Sequence, residues 1–336
     1  MRFQRFCMMA VCVGTALSSM AQQSAGEQRK ATATTTKARD AQTTSTFHDE
    51  KLTTGLLTAG KIAGVKFRGD VHYLDEGRAE KLDVYLPEKD GGAPRPVMVM
   101  IHGGGWQGGD KAAKRELQAG TTFARAGYVA VSVEYKKGEG CWPTNLQDCK
   151  NAVRWVRTHA KELNADPNNI GVMGGSAGGH LALMVAYTGG NPELAPPTPY
   201  PGVDDSVHAV LNLYGITNLR TRQKTDKTGK PNGQPRSGGV LVKGKPEDNP
   251  ELWALVSPVS HITSATVPTL TLHGTADTAV DRYQPRELHQ KLEAAGVENE
   301  LVMIPGAPHS FLFHDKRLKE DLRPRVLKFF DKHLRD

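Results

Sequence analysis

Gly174-Gly175-Ser176-Ala177-Gly178 follows without a break on the apolar run Ile170-Gly171-Val172-Met173, and this junction restricts the possible folds more than any other feature. An apolar run entering a G-x-S-x-G turn reads as a buried strand, a sharp bend and a helix, with the serine in a strained backbone at the bend. A strand that hands over to a helix in this way belongs in a layered α/β architecture. Ser176 is therefore the candidate nucleophile. The pattern also arises by chance in a chain with 35 glycines, so its weight depends on what accompanies it.

Strand signals lie at 71–74, 81–86, 97–101 and 128–133, in the run before Ser176, and at 209–214, 269–272 and 300–304. The first two are separated by Asp75-Glu76-Gly77-Arg78, which has turn composition, and are expected to pair antiparallel. Val97-Met98-Val99-Met100-Ile101 is apolar throughout, the pattern of a strand buried on both faces. Helix signals cover 112–126, 145–163, the segment from Ser176 to Tyr187, 283–295 and 316–334. Crossover helices between strands imply parallel pairing. The expected fold is α/β, an eight-stranded, mostly parallel sheet flanked by helices.

The amino terminus has a different character. Arg2 and Arg5 head a largely apolar stretch that ends at Ser19-Met20-Ala21, so residues 1–21 read as a signal peptide, too short in its apolar part to span a bilayer. Residues 22–46, rich in Ala, Thr, Ser, Gln and Lys, lack the apolar surface to form a core and read as a disordered polar spacer. Residues 47–336 are left as one catalytic-domain-sized unit. The expected location is secreted or periplasmic, with no stable membrane span. Cys141 and Cys149 remain beyond the signal peptide; an exported pair suits a disulfide, whereas a helical, buried Cys149 suits a free thiol, and the sequence leaves both open.

The formal net charge is +7, and much of it crowds one glycine-rich stretch at about 217–250, through Arg220, Arg222, Lys224, Lys227, Lys230, Arg236, Lys243 and Lys245. It reads either as a solvated loop or as a mouth attractive to an acidic polymer. No nucleic-acid-reading motif accompanies it, so nucleic acid is not an expected partner.

An activated serine requires a base, an orienter for the base and donors for an oxyanion. His102-Gly103-Gly104-Gly105-Trp106 follows directly on the buried strand 97–101, and glycines let backbone N–H groups turn toward a reacting carbonyl. Gly104, Gly105 and the N–H of Ala177 are the candidate donors. Asp277, in His273-Gly274-Thr275-Ala276-Asp277 just past a strand, is the expected orienter, with Asp281 as competitor. His309, in Pro305-Gly306-Ala307-Pro308-His309 after the last strand, is the expected base, with His314 as fallback. The order Ser176, Asp277, His309 is the α/β-hydrolase order. Trp106 and Trp142 are candidate pocket walls or else core residues, and Asp148 is a candidate brace for the glycine loop or else a helix-start acid. Neither a metal nor an organic cofactor is called for.

In these motifs the chain resembles α/β-hydrolase carboxylesterases that carry the hormone-sensitive-lipase-like HGGGW motif, and within them the bacterial feruloyl and acetylxylan esterase-like (BD-FAE-like) proteins. The likeness rests on HGGGW at 102–106, on Trp142-Pro143-Thr144-Asn145-Leu146-Gln147-Asp148-Cys149 leading into a helix with Trp155, on GGSAGGH at 174–180 and on HGTAD at 273–277. It spans residue 70 to the carboxyl terminus. It implies a serine esterase acting on short-acyl or hydroxycinnamoyl esters, small molecules or plant cell-wall polysaccharide. The competing expectations are a prolyl-oligopeptidase-like serine peptidase and a hydrolase fold used only for binding. Members of the group often carry an amino-terminal helical cap; here that segment is polar, and the basic insertion at 217–250 is the natural place for a lid.

Overall fold

The computed structural model describes residues 54–89 and 91–335, so the expectations for 1–21 and 22–46 lie outside the described residues. Ten strands are formed among them: β1 (Val65–His72), β2 (Lys81–Pro87), β3 (Arg95–Ile101), β4 (Val129–Val133), β5 (Ala165–Gly175), β6 (Ala209–Leu213), β7 (Gln223–Thr225), β8 (Pro231–Pro235), β9 (Thr269–Gly274) and β10 (Asn299–Ile304). Eight build one sheet in the order β1-β2-β4-β3-β5-β6-β9-β10, and β7 and β8 pair separately as a hairpin. Pairing is antiparallel at β1–β2 and β2–β4 and parallel from β4 to β10. The α/β-hydrolase architecture expected from the sequence is the one observed.

The parallel strands need helical crossovers, which cover both faces and exclude water from β3, β4, β5 and β6. The helices among the described residues are α1 (Thr54–Thr58), ahead of the first strand, α2 (Lys114–Arg125), α3 (Thr144–Thr158), α4 (Ala160–Leu163), α5 (Ala177–Tyr187), α6 (Pro250–Leu255), α7 (Tyr283–Ala294) and, after the last strand, α8 (Arg323–Leu334). None of the described helices is long and apolar enough to cross a membrane. The helix expected over 145–163 is interrupted at His159, whose ring Nδ1 lies 2.9 Å from Trp155 O. The last helix starts at Arg323 rather than 316, with Pro324 in its first turn, where the missing N–H costs nothing.

The sheet order reverses between β3 and β5: the chain leaves β3 for β4 on one side and returns to β5 on the other. Ligand sites in open α/β sheets form beyond the carboxyl ends of strands at such a switch. Ile101, the end of β3, pairs with Gly174 near the end of β5, which brings the glycine loop beside the serine turn. On the far side of β6, Gly274 pairs with Ile304, so the loops after β9 and β10 run together. Topology alone thus gathers four loops at one edge.

Behind them, a buried ionic cluster ties α3 to the segment after α5. Asp205 receives Lys150 Nζ at 3.2 Å and Arg154 Nη2 at 2.8 Å, and Lys150 also donates to Thr188 O. Cys141 and Cys149 are both buried and both free thiols, and burial pushes the Cys149 thiol well up.

Candidate active site

At the end of β5 the chain turns so sharply that Ser176 takes φ 58° and ψ −122°, a region that costs a non-glycine residue about 1–3 kcal/mol. The bend is held from both sides: Ser176 N donates to Leu213 O at 2.9 Å, and Ser176 O accepts from His180 N at 3.0 Å as α5 begins. Gly178 is required by close approach, since a methyl group there would lie 2.1 Å from Ile101 O. The strain lifts the Ser176 hydroxyl clear of the sheet.

The Ser176 Oγ lies 3.0 Å from His309 Nε2, and His309 Nδ1 lies 2.7 Å from Asp277 Oδ2. The other Asp277 oxygen accepts from the N–H groups of Ala279 and Val280 at 2.8 and 2.9 Å, so the carboxylate is aimed by its own loop. Burial pushes the Asp277 carboxyl up, but the hydrogen bond and charge of His309, with His273 and the Val280 N–H, outweigh it and hold the group below its usual range. The loops carrying the acid and the base are joined: Ala276 N donates to Ala307 O and Gly306 N to Thr275 Oγ1.

Asp281, the competing acid, serves a different purpose. It accepts from Tyr283 N at the start of α7 and from Gln223 N in β7. His314, the fallback base, sits 3.8 Å from Asp321 Oδ2. His273 and His180 are buried, and burial pulls each imidazole down to about 4. Each is therefore neutral near pH 7, with Nε2 donating to a carbonyl, that of Val280 and that of Val256 respectively.

Gly104 and Gly105 adopt φ 125° and 64°, and neither N–H has an acceptor among the described residues. The Ala177 N–H belongs to the first turn of α5, whose amide groups lack partners within the helix. What fixes the glycine loop is His102, a histidine suited by its place to supporting a loop, held by an acid, Glu134, that sequence reasoning missed. His102 is 1 % exposed, with Nδ1 2.7 Å from Gly103 O and Nε2 2.9 Å from Glu134 Oε1. The ring is thus held at both nitrogens, between the backbone carbonyl of the loop and a carboxylate. Glu134 follows β4 directly, beside β3, and an acid at the end of the neighbouring strand was the available signal. Asp148, the expected brace, instead accepts from Arg78 Nη2 and Lys136 N.

A second unforeseen support lies under the base. Arg115 donates from Nη1 to Tyr214 OH at 3.1 Å, and Tyr214 OH donates to Phe311 O at 3.1 Å. The Tyr214 ring meets the His309 ring edge to face at 4.9 Å. Of the two readings of Trp106, pocket wall or core, its 2 % exposure and its place in the hydrophobic cluster select core. Its ring meets His180 edge to face at 5.3 Å. Trp142 is half-buried against the same core.

The insertion at 217–250 is not a bare solvated loop. The hairpin β7–β8 rises from it, Leu241 and Val242 enter the core, and Trp253 of α6 packs behind them. Among the described residues no cluster of His, Cys, Asp and Glu could hold a metal ion.

Comparison with known proteins gives one consistent picture. A family model described as BD-FAE matches residues 82–292, and a dienelactone hydrolase family model matches residues 253–334. The esterase LipQ of Mycobacterium tuberculosis is 30% identical over 266 residues, covering 76% of this chain and 61% of LipQ. The chain spans less than two thirds of the length of the curated relatives it matches first. A truncated carbohydrate esterase from gut microbiota superposes with a TM-score of 0.71 at 24% identity, over 81% of this chain and 97% of that one, a likeness of fold. The butyrate-bound thermophilic esterase Est2 of Thermogutta terrifontis gives a TM-score of 0.63 at 28% identity, over 80% and 93% of the two chains.

Proposed function

Because the chain belongs to the BD-FAE family, we propose that it is a carboxylic ester hydrolase working through an acyl-enzyme on Ser176. The observation that carries this reading is the continuous hydrogen-bonded relay from Ser176 Oγ through His309 to Asp277. In it, His309 Nε2 takes the hydroxyl proton as Ser176 attacks the ester carbonyl, while Asp277 holds Nδ1–H and stabilises the imidazolium. The oxyanion settles on the N–H groups of Gly104, Gly105 and Ala177, and the same imidazolium protonates the leaving alcohol. Water, deprotonated by His309, then releases the acid. Each lost oxyanion donor costs such a site about a hundredfold to a thousandfold in turnover.

We further propose that the substrates are short-acyl or hydroxycinnamoyl esters, on small molecules or plant cell-wall polysaccharide, met after export. The esterase relatives and the carbohydrate-esterase neighbour support the ester chemistry, and the basic head with its apolar stretch before Ser19-Met20-Ala21 supports export. The test is a panel of acetylated xylan, methyl ferulate and p-nitrophenyl esters of rising chain length, with Ser176→Ala as control. Short esters are expected to be cleaved and the control to be inactive. Cleavage of aminoacyl-nitroanilides with none of esters would overturn the reading in favour of a peptidase.

A further inference from the structure

Most of the basic side chains at 217–250 behave as an ordinary solvated surface. Lys224, Lys227 and Lys230 are exposed, and Lys243 pairs with Glu139. Arg222 does not fit this description. It immediately precedes β7, and its guanidinium lies over the Trp106 ring, 6.0 Å from the centroid. Its Nε is buried without a partner, and the guanidinium makes no ion pair or hydrogen bond among the described residues.

The place of this cation is fixed from two directions. On one side is the ring of Trp106, the residue that follows Gly105 directly. On the other side, Gln223 N donates to Asp281 Oδ2 at 3.0 Å and Thr225 Oγ1 to Thr278 O at 2.6 Å. The hairpin turn passes the triad acid so closely that a methyl group on Gly229 would lie 2.4 Å from Asp277 O. Arg222 is thus held between the aromatic ring that follows the glycine loop and the acid loop, near enough to Asp281 and Asp277 for both charges to act on it.

Arg236 adds a second guanidinium next to it. Its N–H donates to Arg222 O at 2.9 Å, its Nη1 donates to Ala279 O at 2.7 Å, and it too has no carboxylate partner among the described residues. Burial first, then the like charge of Arg236, pulls the Arg222 guanidinium down to about 10 against the opposing charges of Asp281 and Asp277. A half-buried cation that no carboxylate bonds directly is unfavourable until something pairs with it. A planar fork resting on an aromatic face is suited to gripping a carboxylate through two parallel hydrogen bonds.

We infer that Arg222, with Arg236 beside it, forms a carboxylate-binding subsite at the mouth of the Ser176 site, so that preferred substrates are esters bearing a carboxylate near the scissile bond. This rests on the ester-hydrolase reading above and narrows its substrate class. The carboxylate can belong to the acyl or to the alcohol part, and two matched pairs separate these. Mono-p-nitrophenyl glutarate against p-nitrophenyl butyrate places the charge on the acyl side; p-acetoxybenzoate against p-acetoxybenzamide places it on the alcohol side.

In one pair at least, the acidic ester is expected to have the higher kcat/KM, by about tenfold or more. Arg222→Gln should lower that ratio by about 10- to 100-fold, and Arg222→Lys, which keeps the charge without the fork, by less. The ratio should also shrink as salt rises from about 50 mM to 500 mM. No preference in either pair, or a preference that Arg222→Gln leaves intact, overturns the inference. Calorimetry of mono-p-nitrophenyl glutarate and of p-acetoxybenzoate on Ser176→Ala separates the two claims. Binding of either, lost in Ser176→Ala carrying Arg222→Gln, upholds the subsite even if every ester resists hydrolysis, in which case the esterase reading fails; absence of binding of both to Ser176→Ala overturns the subsite.

Discussion

Replacing Glu134 by Gln tests how the oxyanion loop is held. The carboxylate receives His102 Nε2 at 2.9 Å, Lys137 Nζ at 2.5 Å and Lys111 N at 3.3 Å. Burial pushes the Glu134 carboxyl up, but His102 and Lys137 outweigh it, and the group falls from 4.5 to about 2. A drop of that size corresponds to about 3 kcal/mol, on a side chain only 14% exposed and so little screened. The sign follows from linkage: a carboxyl whose pKa is depressed in the folded state stabilises the fold above its unfolded pKa, and the contribution fades as pH falls from about 4.5 toward 2. Glu134→Gln keeps the shape and removes the charge. Urea unfolding at stepped pH should therefore show the variant about 2–3 kcal/mol less stable near pH 7, with the gap closing toward pH 3. Hydrolysis of p-nitrophenyl acetate should lose kcat more than it gains in KM, because His102 sets the Gly103 carbonyl and hence the donors that follow it. A stability gap that stays constant from pH 7 to pH 3 would refute the reasoning.

Asp277→Asn keeps the geometry but invites the wrong His309 tautomer, and kcat should fall about ten-thousandfold with KM little changed; a loss under tenfold in steady-state assays would count against Asp277 as the orienter. Tyr214→Phe removes the hydroxyl between Arg115 and Phe311 O, leaving a buried donor and acceptor unmatched. Chemical denaturation should register a loss of about 1–3 kcal/mol, and no loss would show the link to be idle. Dithiothreitol should leave the melting temperature unchanged, and a thiol reagent should modify Cys141 and Cys149 only after unfolding; protection that persists in denaturant without reductant would indicate a bridge.

The fold was legible because its punctuation is chemical. Apolar runs such as 97–101 and 170–173 can only be buried strands in this context, and the motifs that follow them mark strand ends. The same logic placed Ser176, Asp277 and His309 at loops that the topology then gathers at one edge. The supports were harder to read. Glu134 and Arg115 carry no motif, and their roles depend on β4 lying beside β3 and on a helix passing under Tyr214, which are facts of packing. Trp106 after a glycine loop reads equally as pocket wall or core, and Gly239, His180 and Arg222 close around it. The hairpin β7–β8 is polar on both faces, so it has no hydrophobic alternation to announce it; the Asp281 carboxylate and the Thr278 and Ala279 carbonyls of the acid loop hold it instead.

The relay from Ser176 to Asp277 is tested most directly by trapping the covalent intermediate. The purified protein would be mixed with p-nitrophenyl acetate, quenched in acid within the burst phase, digested and sequenced by mass spectrometry. An acetyl group on Ser176, absent from Ser176→Ala and accumulating when His309 is replaced only at a greatly reduced rate, is the predicted result. Ester turnover with Ser176 unmodified, or an acyl group carried by another residue, would contradict the account.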